Sequence, residues 1–150
     1  MSNRLVIPLL CAASAVAFAS GTTNHKTLAV SGAKTHSKST LTSTFTVKAG
    51  QSVEFRLDVR NNTNRMLELR YPTGKTHDFI VQDAAGKEVW RWSKDRMFTS
   101  GIQNKLVKAK SVAAFSENWK AENTHGKFTA VALLTSDNHP IEERVEFELK

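Results

Sequence analysis

The stretch Val53-Glu54-Phe55-Arg56-Leu57-Asp58-Val59-Arg60 decides the fold class, because apolar and charged side chains alternate in it without a break. This period of two places the apolar residues on one face of a β-strand and the charged residues on the other. The sign of the charge alternates from one charged residue to the next, which is typical of a sheet face in water. We therefore predict a strand that is buried on one face only.

Further segments on both sides carry strand signals, and turn residues separate them. Turn clusters include Asn61-Asn62-Thr63-Asn64 and Asp83-Ala84-Ala85-Gly86. No segment shows the sustained period of an amphipathic helix. The pattern predicts strands over residues 41–47, 53–59, 66–71, 77–82, 88–92, 106–108, 112–119, 127–135 and 142–149.

Short strands with frequent turns are typical of a β-sandwich or a β-barrel. We predict an all-β fold for residues 41–150, an immunoglobulin-like antiparallel β-sandwich of about eight strands. A barrel of the oligonucleotide-binding type is the alternative. Residues 93–104 lie between two predicted strands and lack a clear period, so we expect a longer connection there.

Residues 1–19 are typical of a cleaved signal peptide. Arg4 supplies a positive charge, residues 5–18 form an apolar run, and Ala17-Phe18-Ala19 matches a cleavage signal before Ser20. We therefore expect an exported protein, either periplasmic or extracellular.

Two alternatives to cleavage are a transmembrane anchor and a lipid anchor. A span needs about 20 apolar residues, whereas this run is shorter and Pro8 interrupts it. Lipidation at Cys11 would require a small residue before it, and Leu10 stands there. Cys11 is the only cysteine of the sequence, so the mature chain cannot form a disulfide and must rely on a packed core.

Residues 20–40 are rich in Ser, Thr, Lys and Gly and contain one short apolar patch, Leu28-Ala29-Val30. This composition predicts a linker or a loosely held first strand.

The charge of the chain is moderately basic. It has 21 Lys and Arg against 14 Asp and Glu, a formal charge of +7. A nucleic-acid groove would concentrate positive charge and interleave it with aromatic residues, but here the signs alternate along the strands. We expect a protein partner, no nucleic acid, and no membrane span after signal cleavage; the sequence leaves the oligomeric state open.

The sequence contains no recognisable catalytic or metal-binding constellation. The five histidines are far apart and lie beside turn residues, so we expect solvated imidazoles rather than metal ligands. Copper sites in sandwich proteins use a cysteine or a Met/His cluster, which the mature chain lacks. A strained Gly-x-Ser-x-Gly turn and a Gly-rich phosphate loop are also missing. The prediction is a non-enzyme without a cofactor.

The aromatic-rich run from Tyr71 to Phe98 is the most informative stretch. Trp90 and Trp92 point to the same face of one predicted strand, which is typical of core packing. The run resembles the BsuPI family of intracellular proteinase inhibitors, whose pattern joins a Pro/Ser-x-Gly segment, Asp-Phe, a Gly turn, Trp-Arg-Trp-Ser and Met-Phe. The matching positions are Pro72, Gly74, Asp78, Phe79, Gly86, Trp90, Arg91, Trp92, Ser93, Met97 and Phe98, with Trp119 in a later strand.

The resemblance extends over about residues 47–149 and departs from the family pattern where Ala109-Lys110-Ser111 replaces a Pro-Gly-Glu turn. It implies an immunoglobulin-like fold and inhibition of subtilisin-type serine proteinases. A substrate-like inhibitor must present a loop that is already extended and held in place.

Residues 93–102 suit such a loop, because Trp92 and Phe98 can anchor its ends. Under this hypothesis Arg96, Met97 and Phe98 contact the partner, and Met97 or Phe98 fills an apolar specificity pocket. A competing interpretation places Phe98 in the core. If another loop makes the contact, residues 72–76 are the next choice.

The alternative function is an exported immunoglobulin-like interaction module. Such a module holds a non-proteolytic partner protein through a sheet edge or through loops. A nucleic-acid-binding barrel that exposes Trp90 and Trp92 is a third, minor hypothesis.

Overall fold

The computed structural model describes residues 39–150. The predicted signal peptide, residues 1–19, and all but the last two residues of the predicted linker, 20–40, lie outside the described part.

The described residues form nine β-strands and no helix. The strands are β1 (Leu41–Ala49), β2 (Val53–Asn61), β3 (Leu67–Tyr71), β4 (His77–Asp83), β5 (Glu88–Arg91), β6 (Gln103–Val107), β7 (Val112–Trp119), β8 (Gly126–Leu134) and β9 (Ile141–Leu149).

Two antiparallel sheets make up the body of the domain. One has the strand order β1-β2-β7 and the other has the order β5-β4-β8-β9. A separate two-stranded ribbon pairs β3 with β6. The prediction of an all-β antiparallel sandwich is confirmed, and the alternative of a closed barrel is wrong because the described strands divide into separate open sheets.

The core lies between the two sheets and follows from the alternation in the sequence. Along β2, Val53, Phe55, Leu57 and Val59 are fully buried. In the opposite sheet the inward residues of β4 and β8 face them, so the apolar faces meet away from water. Aromatic rings run through this core, with Phe55 and Phe79 in contact at 5.7 Å between ring centroids.

The two long sides of the sandwich differ. On one side β1 lies against β9, and the Ser43 hydroxyl donates to Glu143 Oε1 at 2.6 Å. On the other side β5 and β7 are the last strands of their sheets, and aromatic side chains fill the space between them. That second side carries Trp90, Trp92 and Trp119, the three tryptophans of the family resemblance.

The strand predicted over residues 106–108 begins earlier, at Gln103, and ends at Val107. Its residues 103–106 are all exposed, because the strand pairs only with β3 at the surface. A strand that is wet on both faces has no apolar alternation to detect, which is why the prediction missed its start.

Candidate functional site

A tight turn sets the position of β5 relative to β4. The side chain of Asp83 accepts hydrogen bonds from the backbone N–H groups of Ala85 and Lys87, both at 2.9 Å. Gly86 closes the turn with φ of 79°, a conformation that favours glycine. The hairpin then carries Trp90 inward and Arg91 outward.

Both tryptophans of the Trp-Arg-Trp-Ser motif pack against the core. Trp90 stacks on Phe55 at 5.4 Å and on Trp119 at 5.9 Å between ring centroids. Trp92 lies just past the end of β5, but its backbone N–H still donates to the backbone carbonyl of Phe79 at 2.9 Å. The prediction that the two indoles share one face and pack on the core is confirmed.

Asp78 lies on the face of β4 that points away from the core between the sheets, yet it is only 1% exposed. Its carboxylate accepts hydrogen bonds from the Ser93 hydroxyl at 2.6 Å and from the Ser93 N–H at 3.2 Å. The ammonium of Lys75 lies 3.4 Å away and the guanidinium of Arg91 lies 3.5 Å away. One buried carboxylate therefore holds the residue at which the chain leaves β5, and this explains the Asp, Arg and Ser positions of the motif.

A turn follows directly after Trp92. The N–H of Arg96 donates to the Ser93 carbonyl at 3.3 Å, and Asp95 has φ of 62°. The Arg96 side chain folds back, so that its Nε donates to the Trp92 carbonyl at 2.9 Å. Its guanidinium lies 4.6 Å above the Trp92 ring, a cation–π contact that fixes Arg96 over the indole.

Met97 and Phe98 lie beyond this turn and differ sharply in exposure. Met97 is 99% exposed. Phe98 is half-buried, and its ring contacts Trp92 at 5.6 Å between centroids. Phe98 therefore lies outside the core proper, contrary to the competing interpretation, and it holds the far end of the turn against the same indole.

The two loops considered from the sequence lie against each other. The N–H of Gly74 donates to the Thr99 carbonyl at 2.9 Å. A Cβ atom on Gly74 would lie 2.5 Å from Thr99 Oγ1 and 3.2 Å from its backbone nitrogen, so only glycine fits here without a shift. Pro72 is exposed, and the Gly74–Thr99 hydrogen bond places residues 72–76 beside the 93–102 loop.

The environment of His77, which lies beside the motif residues, differs from the prediction. We expected solvated imidazoles, but His77 is 8% exposed and stacks on Trp92 at 4.4 Å between ring centroids. Burial lowers the pKa of His77 below its usual value, although Glu117 Oε1, 3.3 Å from Nε2, acts in the opposite direction. Its position at the start of β4, two residues before the inward-facing Phe79, was the available signal, because alternate residues of a strand share one face.

Of the other histidines in the described part, His125 is exposed and His139 is half-buried, while His25 and His36 lie outside it. Residues 39–150 contain no group of three or more His, Cys, Asp or Glu side chains placed to hold a metal ion. The same residues contain no helix long and apolar enough to cross a membrane.

A shallow depression of about 390 Å³ lies beside the loop, between the outer strands of the two sheets. Trp90, Trp92 and Arg96 line it on the β5 side, and Asn118 lines it on the β7 side. The outer edge of β5 borders this depression, because β5 pairs only with β4.

No curated protein sequence matches the chain significantly. Among solved structures, part of a β-glucosidase, EmGH1 from Erythrobacter marinus, is similar with a TM-score of 0.36 and 14% identity. The similar region covers 72% of this chain and 16% of that enzyme.

The family model described as BsuPI, intracellular proteinase inhibitor, matches residues 40–139. The matched region includes Asp78 with its partners Lys75, Arg91 and Ser93, both tryptophans of the motif and the whole 93–102 loop. The chain belongs to the BsuPI family of intracellular proteinase inhibitors.

Proposed function

We propose that this protein inhibits a subtilisin-type serine proteinase, and that the 93–102 loop makes the inhibitory contact. Family membership supports an inhibitor with a proteinase as its protein partner. The observation that carries the choice of loop is Met97, whose side chain is 99% exposed at the tip of a segment that is anchored on both sides.

The anchoring favours tight binding, because a loop that is already ordered loses little entropy in a complex. Ser93 is held by the buried carboxylate of Asp78. Arg96 and Phe98, on either side of Met97, both lie against the Trp92 ring. The chain without disulfides thus obtains a supported loop from packing and from one buried ionic cluster.

Met97 is the side chain of this loop that enters an apolar specificity pocket. It is apolar and unbranched, so it can adapt to a narrow pocket. Arg96 and Phe98 are engaged with Trp92, and they contact the rim of the proteinase cleft rather than its pocket. Residues 72–76 supply a second contact, since the Gly74–Thr99 hydrogen bond places them beside the loop.

The test is a titration of subtilisin with the purified protein while cleavage of a peptide substrate is followed. We expect a stoichiometric loss of activity. Met97→Asp would bring a charge into the apolar pocket and weaken inhibition by at least about 100-fold. Met66→Asp, at a methionine that is 54% exposed and distant from the loop in sequence, is the matched control and should inhibit as the wild type does. Full inhibition by Met97→Asp would contradict this choice of loop.

We also propose that the protein works outside the cytoplasm. Support comes from the sequence of residues 1–19, with its charged start, apolar run and Ala17-Phe18-Ala19 signal. Fractionation of cells that produce the full chain tests this. The mature protein should begin at Ser20 and appear in the periplasm or the medium, and an uncleaved cytoplasmic protein would overturn the proposal.

The edge of β5 supports a second candidate function, that of an interaction module for a non-proteolytic partner. The outer backbone groups of Glu88–Arg91 do not pair with a neighbouring strand, and the depression beside them has room for side chains of an added strand. Asn118→Arg would fill that depression from β7. Loss of a partner in this variant, with proteinase inhibition unchanged, would favour the second function; loss of inhibition in Met97→Asp alone favours the first.

A further inference from the structure

We propose that Met97 is an oxidation site, and that conversion of its thioether to the sulfoxide switches inhibition off. The proposal rests on the inhibitory role assigned to the 93–102 loop. Its structural basis is the contrast between a methionine that water surrounds almost completely and a supporting structure that does not involve its side chain.

Exposure makes Met97 the preferred target. Its side chain is 99% exposed, whereas that of Met66, the other methionine in the described part, is 54% exposed. A peroxide must reach the sulfur, and water must solvate the product, so oxidation follows access. Met97 is therefore expected to react first.

The reaction is balanced with hydrogen peroxide as the oxidant. A lone pair of the Met97 sulfur attacks one peroxide oxygen, a new S–O bond forms and the O–O bond breaks. The sulfur is oxidised by two electrons to the sulfoxide, and the remaining oxygen leaves as water after a proton transfer. Methionine sulfoxide reductases, one for each epimer, reverse the change.

The fold should survive this change. Ser93, Arg96 and Phe98 hold the loop through Asp78 and Trp92, and Thr99 holds it through Gly74. None of these contacts uses the Met97 side chain. Oxidation would thus replace an apolar group by a strongly polar one at an unchanged position, and a sulfoxide is poorly accommodated in an apolar pocket.

The experiment treats wild type, Met97→Leu and Met66→Leu with hydrogen peroxide, then measures oxidation and inhibition side by side. The two methionines start different tryptic peptides, after Arg65 and Arg96, so mass spectrometry of the digest separates them. Oxidation should appear at Met97 before Met66. Inhibition by wild type and Met66→Leu should weaken about 10- to 100-fold, and both reductases together should restore it. Met97→Leu should inhibit before and after treatment.

Two results would overturn the proposal: faster oxidation of Met66, or full oxidation of Met97 with inhibition unchanged. Failure of the proposed function is seen separately, as an untreated wild-type protein that does not inhibit. In that case the order of oxidation in the digest still decides whether Met97 is the preferred site. Circular dichroism before and after treatment excludes unfolding as the cause of lost inhibition.

Discussion

The carboxylate of Asp78 is the side chain on which the loop most depends. It accepts two hydrogen bonds from Ser93 and lies close to two cations while almost fully buried. Asp78→Asn keeps the shape but loses the charge, and its amide NH₂ must face either the Ser93 donors or the cations of Lys75 and Arg91. We expect a loss of about 1–3 kcal/mol in the free energy of unfolding, measured in urea.

Asp137→Asn is the matched control for that measurement. Asp137 pairs with Arg70 at 3.0 Å, but its side chain is 39% exposed. Exposed ion pairs contribute little, so this variant should lose less than about 1 kcal/mol. Equal losses in both variants would mean that the buried cluster has no special role.

His77 makes stability depend on pH. Burial lowers its pKa from the usual 6.5, and Lys105 of β6 adds to this, while Glu117 of β7 and the neighbouring Asp78 act against it. The unfolded chain therefore binds a proton more readily than the folded one, and stability must fall as the pH drops below about 6.5. The stability should level off once the pH is below the folded pKa.

The measurement is the urea midpoint between about pH 8 and about pH 5. His77→Gln should flatten the part of the pH dependence that lies below about pH 6.5 relative to wild type. His125→Gln, at an exposed position, should leave the profile unchanged. A wild-type slope that persists in His77→Gln would assign the effect to carboxylates instead.

Among elements, the contact between the two loops rests on one glycine. Gly74→Ala would place a Cβ 2.5 Å from Thr99 Oγ1 and 3.2 Å from the Thr99 nitrogen. The hydroxyl can rotate away, but the backbone nitrogen cannot, so the loops must move apart by a few tenths of an ångström. We expect weaker inhibition by about 10-fold with a loss of stability of about 1 kcal/mol.

Gly50→Ala is the control for this change, because Gly50 lies in the turn between β1 and β2, outside both loops, and a Cβ there meets only the Ser52 carbonyl oxygen at 3.7 Å, an ordinary contact. It should leave both inhibition and stability close to wild type. If Gly74→Ala also inhibits normally, the position of residues 72–76 does not matter for binding.

The elements that the sequence predicted well are those with one wet face and one buried face. In β2 and β9 the apolar residues of the alternating pattern are the more buried ones, and both strands form close to their predicted bounds. Strand β6 of the two-stranded ribbon is exposed to water on both faces, and its start was predicted three residues too late. Asn61 was predicted in a turn, but it is the last residue of β2 and is fully buried. Its side-chain amide donates to the backbone carbonyls of Arg65 and Val107. The Val107 carbonyl comes from a distant part of the chain, so no local sequence pattern could predict the burial of Asn61.

The candidate site was predictable in its residues but not in its geometry. The motif positions Asp78, Arg91 and Ser93 were recognised as a family pattern, but their meeting at one buried carboxylate requires the pairing of β4 with β5. His77 was expected in water because its neighbours resemble turn residues. Only the tertiary fold places it under Trp92.

For the whole molecule, we expect folding to depend on strand β9. β9 covers β8 along its full length and buries Val145 and Leu149, although it lies beyond the region that the family model matches. Each fully buried aliphatic side chain contributes about 1.5–3 kcal/mol, against a typical total stability of about 5–15 kcal/mol. A chain that ends at Pro140 should therefore show no cooperative urea unfolding, while removal of Lys150 alone should have no effect.

The order of the strands also controls when the domain can fold. β2 must wait for β7, and β4 must wait for β8, so the three-stranded sheet is complete only at Trp119 and the four-stranded sheet only at Leu149. Domains dominated by such distant pairings fold in milliseconds to seconds rather than in microseconds. The export proposed above would be favoured by this order, because a chain whose sheets are still incomplete can pass through a narrow translocation channel before it takes its final shape.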